Sequence, residues 1–276
     1  MKPVAVIGCG AFGYALGVLL ARTHAELTVN VYDIDACIIE ALRTKRRHPY
    51  FHTDLLAPKN LIAHETAADC LAEAGTVILA VPAQFMRKTC MSIKEALPAH
   101  AVLLNIAKAL EQGTNLRMSE VIREVLGKQR VVATLSGGMI AKDAIYGAPV
   151  GAEIASEDTK ALTRLRHLFL ATTVHVETTR DIIGVEYGGA FKNVIAIGAG
   201  IIDGLGWGAS TKAFFVARSL REIEDLSVAL GAKRATFHTA SNFWMGDLMT
   251  TCFGDSRNRL LGELIGTGCS REEAVA

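Results

Sequence analysis

The chain has 276 residues, of which 50% are hydrophobic and 21% are charged, a composition typical of a protein with a well-formed core. Disorder is therefore not expected. The formal net charge is +1 and the sequence pI is near 7.7, so neither nucleic acid nor an anionic membrane should attract the chain as a whole. Small molecules that are recognised by local residues are the expected partners.

Cysteine usage and apolar segment lengths indicate a cytoplasmic protein. No two cysteines form a Cys-x-x-Cys pair, so we expect reduced thiols rather than a zinc site or a disulfide framework. The first residues pass directly into an apolar run, so no export signal is expected. The most apolar later segment, residues 194–202, is well below the roughly 20 residues that a membrane helix needs, so no membrane insertion is expected. The cysteines are Cys9, Cys37, Cys70, Cys90, Cys252 and Cys269.

The first predicted element is a strand over residues 4–7 that ends in a Gly-x-Gly-x-x-Gly turn and opens a helix over residues 12–21. In this pattern Gly8 makes the tight turn, Gly10 lets the backbone approach a pyrophosphate, and Gly13 lets the helix pack close to the strand. The unpaired N–H groups at the start of the helix would then face the phosphates. The turn predicts dinucleotide binding, and the alternative is a glycine turn that binds nothing.

A second strand is predicted over residues 27–32, and Asp33 follows it directly. A carboxylate at this position of a dinucleotide-binding unit accepts hydrogen bonds from the ribose hydroxyls. The alternative is that Asp33 and Asp35 only form a turn and cap the helix predicted over residues 35–45.

Residues 46–52 form a polar stretch that contains His48 and His52. Their i, i+4 spacing would suit a metal on a helix, but Pro49 between them disfavours the helix, and no third ligand is evident. We therefore expect no metal site, and a loop over the cofactor or the substrate is the favoured interpretation.

Further strands are predicted over residues 77–81, 102–106 and 131–135. Strands that alternate with helices predict a parallel sheet with helices on both faces and ligands beyond the carboxyl ends of the strands. From Asp181 onward no convincing strand remains, and apolar residues recur at helical spacing. We expect an α/β Rossmann-type domain over residues 1–180 and an all-helical domain over residues 181–276, with the reaction in the cleft between them. The predicted strand ends are Gly8, Asp33, Pro82, Lys108 and Ser136.

In the second domain Lys192 lies in a helix that is otherwise apolar or small on most faces. Burial disfavours the ammonium form and would suit proton exchange near neutral pH. The alternative is a lysine whose stem covers the core while its charge reaches water. Further along, Ser256, Arg257 and Asn258 offer a hydroxyl, a guanidinium fork and an amide, a set that suits a phosphate, although a solvated helix face would have a similar sequence.

At these residues the chain resembles the NAD(P)-dependent glycerol-3-phosphate dehydrogenases, and the resemblance extends over essentially the whole chain. The matching segments are residues 8–13, 81–84, 108–111, 184–204, 245–248 and 256–259. The resemblance implies reversible hydride transfer between a nicotinamide and the C2 carbon of the glycerol 3-phosphate/dihydroxyacetone phosphate pair, which supplies glycerol phosphate for phospholipid synthesis.

The resemblance also implies roles for individual residues. Lys192 would exchange a proton with the C2 oxygen, and Asp247 would orient Lys192 and the substrate. The implied cofactor-binding residues are Gly8, Gly10, Ala11, Phe12, Gly13, Asp33, Pro82, Lys108, Ala141 and Arg257. The implied substrate-binding residues are Lys108, Gly137, Met139, Lys192, Asp247, Ser256, Arg257 and Asn258.

The chain departs from the family pattern in ways that leave alternatives open. Gly138 and Met139 stand where a proline and a hydroxyl residue are usual, and Phe243-Trp244 replaces small residues or leucine. The bulkier, more apolar lining that we expect could fit another phosphorylated ketone, or a compensated pocket for the same one. A related nicotinamide-dependent reductase of another small hydroxy acid or phosphate is one alternative, and a non-catalytic NAD(H)-binding redox sensor is another. Asp33 favours NAD over NADP, which remains an alternative cofactor, and a homodimer is left open.

Overall fold

The computed structural model describes residues 1–275, which form two compact units. The first, here called the sheet unit, comprises residues 1–135 and 139–180. The second, here called the helical unit, comprises the short segment Ser136–Gly138 together with the chain from Asp181 onward. Across the described residues, no helix is long and apolar enough to cross a membrane.

One eight-stranded sheet, in the order β3-β2-β1-β4-β5-β6-β7-β8, organises the sheet unit. Every neighbouring pair from β3 to β6 is parallel, and so is the β7–β8 pair. Ser156, just after β7, donates a hydrogen bond to the carbonyl of Val132 at the start of β6, so β7 and β8 run opposite to the other six strands. The strands are β1 (Val4–Ile7), β2 (Val29–Tyr32), β3 (Leu61–Ala63), β4 (Thr76–Leu79), β5 (Val102–Asn105), β6 (Val132–Ser136), β7 (Val150–Ala155) and β8 (Val174–Thr179).

Seven helices accompany the sheet, and its central strands are buried along their whole length. Continuous apolar strands are the expected consequence of covering a parallel sheet on both faces. The chain order of the first six strands reverses between β1 and β4, which is where doubly wound sheets bind their ligands. The helices are α1 (Ala11–Thr23), α2 (Ala36–Lys45), α3 (Ala67–Leu71), α4 (Ala83–Ile93), α5 (Met118–Leu126), α6 (Ala141–Ile145) and α7 (Thr159–Phe169).

The Rossmann-type fold predicted from the sequence is confirmed, with each predicted strand displaced by no more than two residues at either end. The sequence reasoning did not identify β3, β7 and β8 individually. β3 has only three residues, and β8 has several exposed residues, so neither forms the long apolar run by which the other strands were recognised.

The helical unit contains no strand after Asp181 in the described chain, as the sequence pattern predicted. Its helices are α8 (Ile182–Gly204), α9 (Ala209–Ala229), α10 (Asp247–Phe253), α11 (Arg257–Gly266) and α12 (Arg271–Val275), with a 3₁₀ turn at Arg234–Thr236 and a π-helical turn at Asn242–Gly246.

α8 and α11 approach each other so closely that only glycine fits at their contact. A Cβ added to Gly200 would collide with the carbonyl of Arg259, and one added to Gly262 would collide with the carbonyl of Ile197. One turn further along, a Cβ on Gly266 would lie 2.5 Å from the carbonyl oxygen of Ile201. This backbone contact fixes the start of α11 relative to α8, the helix that carries Lys192.

Candidate functional site

The glycine-rich turn between β1 and α1 has the geometry of a phosphate-binding loop. Gly8 has a φ of +98°, and a Cβ there would lie 2.6 Å from the carbonyl oxygen of Ala80. A Cβ on Gly13 would collide with the carbonyl of Gly8, so the helix can pack this close only with glycine. Gly10 differs, because nothing lies within 4 Å of the Cβ it lacks. The turn is thus closed against the sheet at two glycines and open at the third.

The open side of this turn coincides with the start of α1. Gly10 caps the helix without a side-chain hydrogen bond, so no side chain satisfies the first backbone N–H groups, those of Ala11, Phe12 and Gly13. Unsatisfied N–H groups together with the positive end of the helix dipole are suited to an anion. These residues therefore fit the pyrophosphate of a dinucleotide.

Asp33 follows β2 and binds the backbone of this turn. Its Oδ2 accepts a hydrogen bond from the Cys9 N–H at 2.6 Å, and its Oδ1 accepts one from the Asp35 N–H at 2.9 Å. Asp35 in turn caps α2, with its carboxylate accepting from Cys37 N–H at 2.9 Å. The turn and cap roles considered for these residues are thus present. They are compatible with ribose recognition, since each carboxylate oxygen can accept a further hydrogen bond.

The other predicted residues of the sheet unit lie after strands, in the turns or at helix starts. Pro82 is the N-cap of α4, and Ala141 is the first residue of α6. Lys108 lies half-buried in the turn after β5, where the Asn105 side chain accepts a hydrogen bond from Ala107 N–H at 2.9 Å. Met139 is half-buried and packs against the core of the sheet unit.

His48 uses both ring nitrogens within the sheet unit. One contacts the carbonyl of Cys9, and the other contacts the N–H groups of Tyr50 and Phe51. The imidazole is therefore unavailable as a metal ligand with His52, so the i, i+4 spacing has a structural explanation here.

In the helical unit Lys192 forms a buried ion pair with Asp247. The Nζ atom donates hydrogen bonds to Asp247 Oδ1 at 2.6 Å and to Thr251 Oγ1 at 2.7 Å. The side chains of the pair are only 7% and 4% exposed, so Lys192 does not extend its charge into water. Burial disfavours the ammonium, whereas the adjacent carboxylate favours it.

Thr251 also belongs to this site, although the family resemblance implied no role for it. Its hydroxyl donates to the carbonyl oxygen of Asp247 and accepts from Lys192. A signal was present in the sequence, because Thr251 follows Asp247 by four residues and so lies on the same face of α10. The π-helical turn just before α10 contributes to the placement of Asp247, and such turns are frequent at functional sites.

The predicted phosphate-binding residues are gathered at the N-terminus of α11. The Ser256 hydroxyl accepts from the Arg259 N–H as the helix cap, and Asn258 Nδ2 donates to Asn193 Oδ1 at 2.9 Å. The Asn193–Asn258 bond links this helix start to the residue beside Lys192. The Arg257 side chain is exposed and forms no hydrogen bond or ion pair within residues 1–275.

Arg259 stabilises the loop that precedes α11 through a hydrogen bond and two ion pairs. Its guanidinium donates to the Gly254 carbonyl at 2.9 Å and pairs with Asp203 and Glu263 at 3.0 Å each. Asp203 also pairs with Lys212 at 2.8 Å, and these ionic contacts lower the pKa of the Asp203 carboxyl even though its partial burial acts in the opposite direction. The network joins α8, α9 and α11 beside the predicted phosphate-binding residues.

Gly137 and Gly138 belong to the helical unit even though they directly follow a strand of the sheet. A Cβ on Gly138 would lie 2.6 Å from Thr250 Oγ1 and 2.9 Å from the carbonyl oxygen of Gly246. The proline that the family usually has at this place would therefore require the neighbouring turn to shift, and its absence here is matched by close packing.

The expectation that Phe243 and Trp244 line a pocket is wrong. Phe243 is fully buried and Trp244 is 2% exposed, and both pack edge-on against Phe237 with ring centroids 5.8 and 5.2 Å apart. Phe243 also fills the space that a side chain on Gly188 would occupy. These aromatic rings form the core behind the site, because the π-helical turn directs them inward.

A glycine-rich phosphate-binding loop on a doubly wound sheet and a buried lysine–aspartate pair in a helical unit define the class of protein as a dinucleotide-dependent oxidoreductase. Comparison with known proteins narrows the class. The chain matches the family described as NAD-dependent glycerol-3-phosphate dehydrogenase, with the N-terminal model over residues 3–162 and the C-terminal model over residues 181–276.

Curated relatives and a solved structure agree with this match. The chain is 38% identical over 276 residues to glycerol-3-phosphate dehydrogenase (NAD(P)+) of Clostridium perfringens, covering 100% of this chain and 82% of that protein. The corresponding protein of Thermobifida fusca is 38% identical over 278 residues, with the same coverage. The crystal structure of glycerol-3-phosphate dehydrogenase from Coxiella burnetii superimposes with a TM-score of 0.91 at 27% identity, covering 99% of this chain and 83% of that one. The chain belongs to the NAD-dependent glycerol-3-phosphate dehydrogenase family.

Proposed function

We propose that this protein interconverts dihydroxyacetone phosphate and sn-glycerol 3-phosphate by hydride transfer with NAD(H), and thereby supplies glycerol phosphate for phospholipid synthesis. The observation that carries the proposal is the buried contact of Lys192 with Asp247 and Thr251. Removing a charged pair from water carries a desolvation penalty, so such a pair is a candidate functional site, and proton transfer to a carbonyl oxygen is a function that it suits.

A nicotinamide bound at this site would supply the hydride to C2 of the substrate in reduction and accept it in oxidation. In the reducing direction the Lys192 ammonium donates a proton to the C2 oxygen, on which negative charge develops. Asp247 and Thr251 accept hydrogen bonds from Nζ and hold the lysine in position from two sides. In the oxidising direction Lys192 accepts the proton from the C2 hydroxyl.

The start of α11 is the proposed binding site for the substrate phosphate. Arg257 presents an exposed guanidinium fork there, and the backbone N–H groups of the first turn add to the positive potential. Because the Ser256 oxygen already accepts from Arg259 N–H, its hydroxyl hydrogen is available to donate. Asn258 completes the group, and its bond to Asn193 keeps the phosphate site at a fixed distance from the neighbouring Lys192.

Residues of the strand ends are proposed to complete the binding of substrate and cofactor. Lys108 would contact both molecules, and Gly137 and Met139 would contact the substrate. The proposed cofactor contacts are those of Gly8, Gly10, Ala11, Phe12, Gly13, Asp33, Pro82, Lys108, Ala141 and Arg257, so that residues 1–180 act as the dinucleotide-binding domain and residues 181–276 as the substrate and catalytic domain. Asp33 favours NAD(H), because a carboxylate repels the 2′-phosphate of NADP.

A related reductase of another phosphorylated ketone is the second candidate, and Met139 is the observation that favours it. A hydroxyl residue is usual at that position, and Met139 cannot donate a hydrogen bond to a substrate. The buried positions of Phe243 and Trp244 remove the other reason for expecting an altered pocket.

The deciding experiment follows NADH oxidation by the purified chain with dihydroxyacetone phosphate and, in parallel, with unphosphorylated dihydroxyacetone and a panel of oxoacids. We expect turnover with dihydroxyacetone phosphate alone. Faster turnover with another ketone would favour the second candidate, and NADH binding without turnover of any substrate would favour a redox sensor.

The cellular setting is also a proposal. All six cysteines are free, which supports a reducing, cytoplasmic location. A homodimer is supported by the exposed apolar side chains of α9, such as Phe214, and light scattering of the purified chain would test it.

A further inference from the structure

His48 lies buried beneath the glycine-rich turn of the sheet unit and has a defined tautomer. Its Nδ1 accepts hydrogen bonds from the Tyr50 and Phe51 N–H groups, both at 3.1 Å. A nitrogen that accepts two hydrogen bonds carries no proton, so the ring proton is on Nε2. Nε2 then donates to the carbonyl oxygen of Cys9 at 2.7 Å. Every polar atom of the neutral ring is satisfied.

Two side chains therefore clamp the backbone on either side of Cys9. Asp33 Oδ2 accepts from the Cys9 N–H at 2.6 Å, and His48 donates to the Cys9 carbonyl. The peptide bond from Cys9 to Gly10 is planar and trans, so fixing its carbonyl toward His48 directs the Gly10 N–H the opposite way. That N–H belongs to the open glycine of the turn, where the pyrophosphate is proposed to bind.

The surroundings of His48 favour the neutral ring. Its centroid lies 4.9 Å from that of Tyr14 and 5.2 Å from that of Phe51, and burial lowers the pKa of His48 below its ordinary 6.5. The hydrogen bond to the Cys9 carbonyl and the carboxylates of Asp33 and Asp35 raise this pKa, whereas positive charge on His52 lowers it, and burial is the largest effect. The titratable groups around the ring are Cys9, Tyr14, Asp33, Asp35, Tyr50 and His52. Burial raises the pKa of the Cys9 thiol and raises that of Tyr14 to about 12, so both stay uncharged near neutral pH.

We propose that His48 is a positioning residue for the dinucleotide, which in its neutral form holds the Cys9–Gly10 peptide in the orientation that binds pyrophosphate and on protonation releases it. The inference rests on the proposed function only for the identity of the ligand. A protonated ring has two donors and no acceptor, so Nδ1–H would face the Tyr50 and Phe51 N–H groups. Nε2–H is retained on protonation and can still donate to the Cys9 carbonyl, so release depends on the loop. Repulsion at Nδ1 forces the loop over residues 48–51 to rearrange, and this movement takes the ring away from the Cys9 carbonyl.

The pH dependence has a definite sign. Because the folded-state pKa of His48 is lower than the unfolded value of 6.5, the unfolded chain binds the proton more readily. The stabilisation by neutral His48 is therefore fully present above pH 6.5 and is lost as the pH falls through the folded-state pKa. Affinity for the dinucleotide should decrease over the same range.

The test uses ADP-ribose, which retains the adenosine and pyrophosphate of NAD, tolerates mild acid and requires no turnover. Its Kd is measured by calorimetry between pH 8 and pH 5.5 for the unmodified chain, His48→Phe, His48→Gln and His52→Asn. His48→Phe keeps an aromatic ring without hydrogen bonds, and His48→Gln keeps one donor and one acceptor without titrating. His52→Asn is the matched control on the same loop, since asparagine tolerates the positive φ of 52° found there.

We expect His48→Phe to raise the Kd about three- to tenfold at pH 8, the equivalent of one hydrogen bond, and to abolish the weakening that the unmodified chain shows in acid. His48→Gln should likewise show no weakening in acid. His52→Asn should keep the affinity of the unmodified chain at pH 8 and the weakening in acid, which begins at a slightly higher pH because the charge of His52 no longer lowers the pKa of His48. Without nucleotide, thermal unfolding followed by circular dichroism should be less pH-dependent in His48→Phe than in the unmodified chain.

Two results would overturn the inference. One is a Kd of the unmodified chain that stays constant down to pH 5.5 while the protein is folded. The other is a His48 variant, of either kind, with the affinity and the acid weakening of the unmodified chain. If the unmodified chain fails to bind ADP-ribose at pH 8, the proposed function itself is contradicted, which distinguishes the two failures.

Discussion

Replacing Lys192 with methionine tests the central pair for catalysis and for stability together. Methionine keeps a long unbranched stem that fills the space, but it removes the ammonium that binds Asp247 and Thr251. Loss of the proton donor should lower kcat for dihydroxyacetone phosphate by roughly 10²- to 10⁴-fold, the range usual for general acid–base catalysis. ADP-ribose binding should persist, because the Gly8–Gly13 turn is unchanged.

The same substitution should also destabilise the helical unit. Asp247 is 2% exposed, so methionine at position 192 leaves a buried carboxylate without its cation. Breaking a buried pair from one side costs about 3–5 kcal/mol, whereas replacing both members with apolar residues is often neutral or stabilising. The double variant Lys192→Met/Asp247→Leu should therefore recover the stability lost by the single variant and remain inactive.

Both tryptophans, Trp207 and Trp244, belong to the helical unit, so their fluorescence during urea unfolding reports this unit. The kcat comparison is made under conditions in which fluorescence shows each variant to be folded. A folded Lys192→Met variant with the stability of the unmodified chain, and with turnover within a few-fold of it, would refute both the buried-pair energetics and the catalytic role.

Three further predictions concern the phosphate-binding site, the cofactor and the helix contact. Arg257→Lys should raise KM for dihydroxyacetone phosphate but change turnover of dihydroxyacetone little, because an ammonium cannot reproduce the guanidinium fork; equal losses for both would exclude a phosphate role. The unmodified chain should prefer NADH to NADPH in kcat/KM, and Asp33→Arg should shift the ratio toward NADPH; a preference of the unmodified chain for NADPH would contradict this. Gly262→Ala should destabilise the helical unit by about 1–3 kcal/mol in urea unfolding, since its Cβ meets the Ile197 carbonyl, whereas Gly208→Ala has open space around it and should cost less, only the loss of a favourable N-cap residue of α9.

The sheet unit was largely readable from the sequence because its signals are local. A run of apolar residues that ends in the pattern of Gly8, Gly10 and Gly13 specifies strand, turn and helix within about ten residues, and the observed β1 and α1 follow it. The same approach failed for β3, whose pairing with β2 stabilises a segment of three residues that is too short to be recognised alone. The direction of β7 could not be predicted from the sequence either, since it depends on which edge of the sheet the chain reaches after β6.

Residue types at the site were predictable, and the family resemblance also implied that Asp247 orients Lys192, but the other interactions were not predictable. The sequence by itself determined that Lys192 lies in an apolar helix and that Asp33 follows a strand. Only the tertiary structure decided that Lys192 also contacts Thr251, which is 59 positions away, and that His48 contacts the turn at Cys9.

Phe243 and Trp244 illustrate the physical reason for this division. Periodicity and composition report that a side chain will be buried, but they do not report against which distant element it packs. The π-helical turn carries both rings, and they pack against Phe237. Neighbouring residues determine the local geometry of the chain, whereas the packing of segments that are far apart in the sequence determines the partner of a buried side chain.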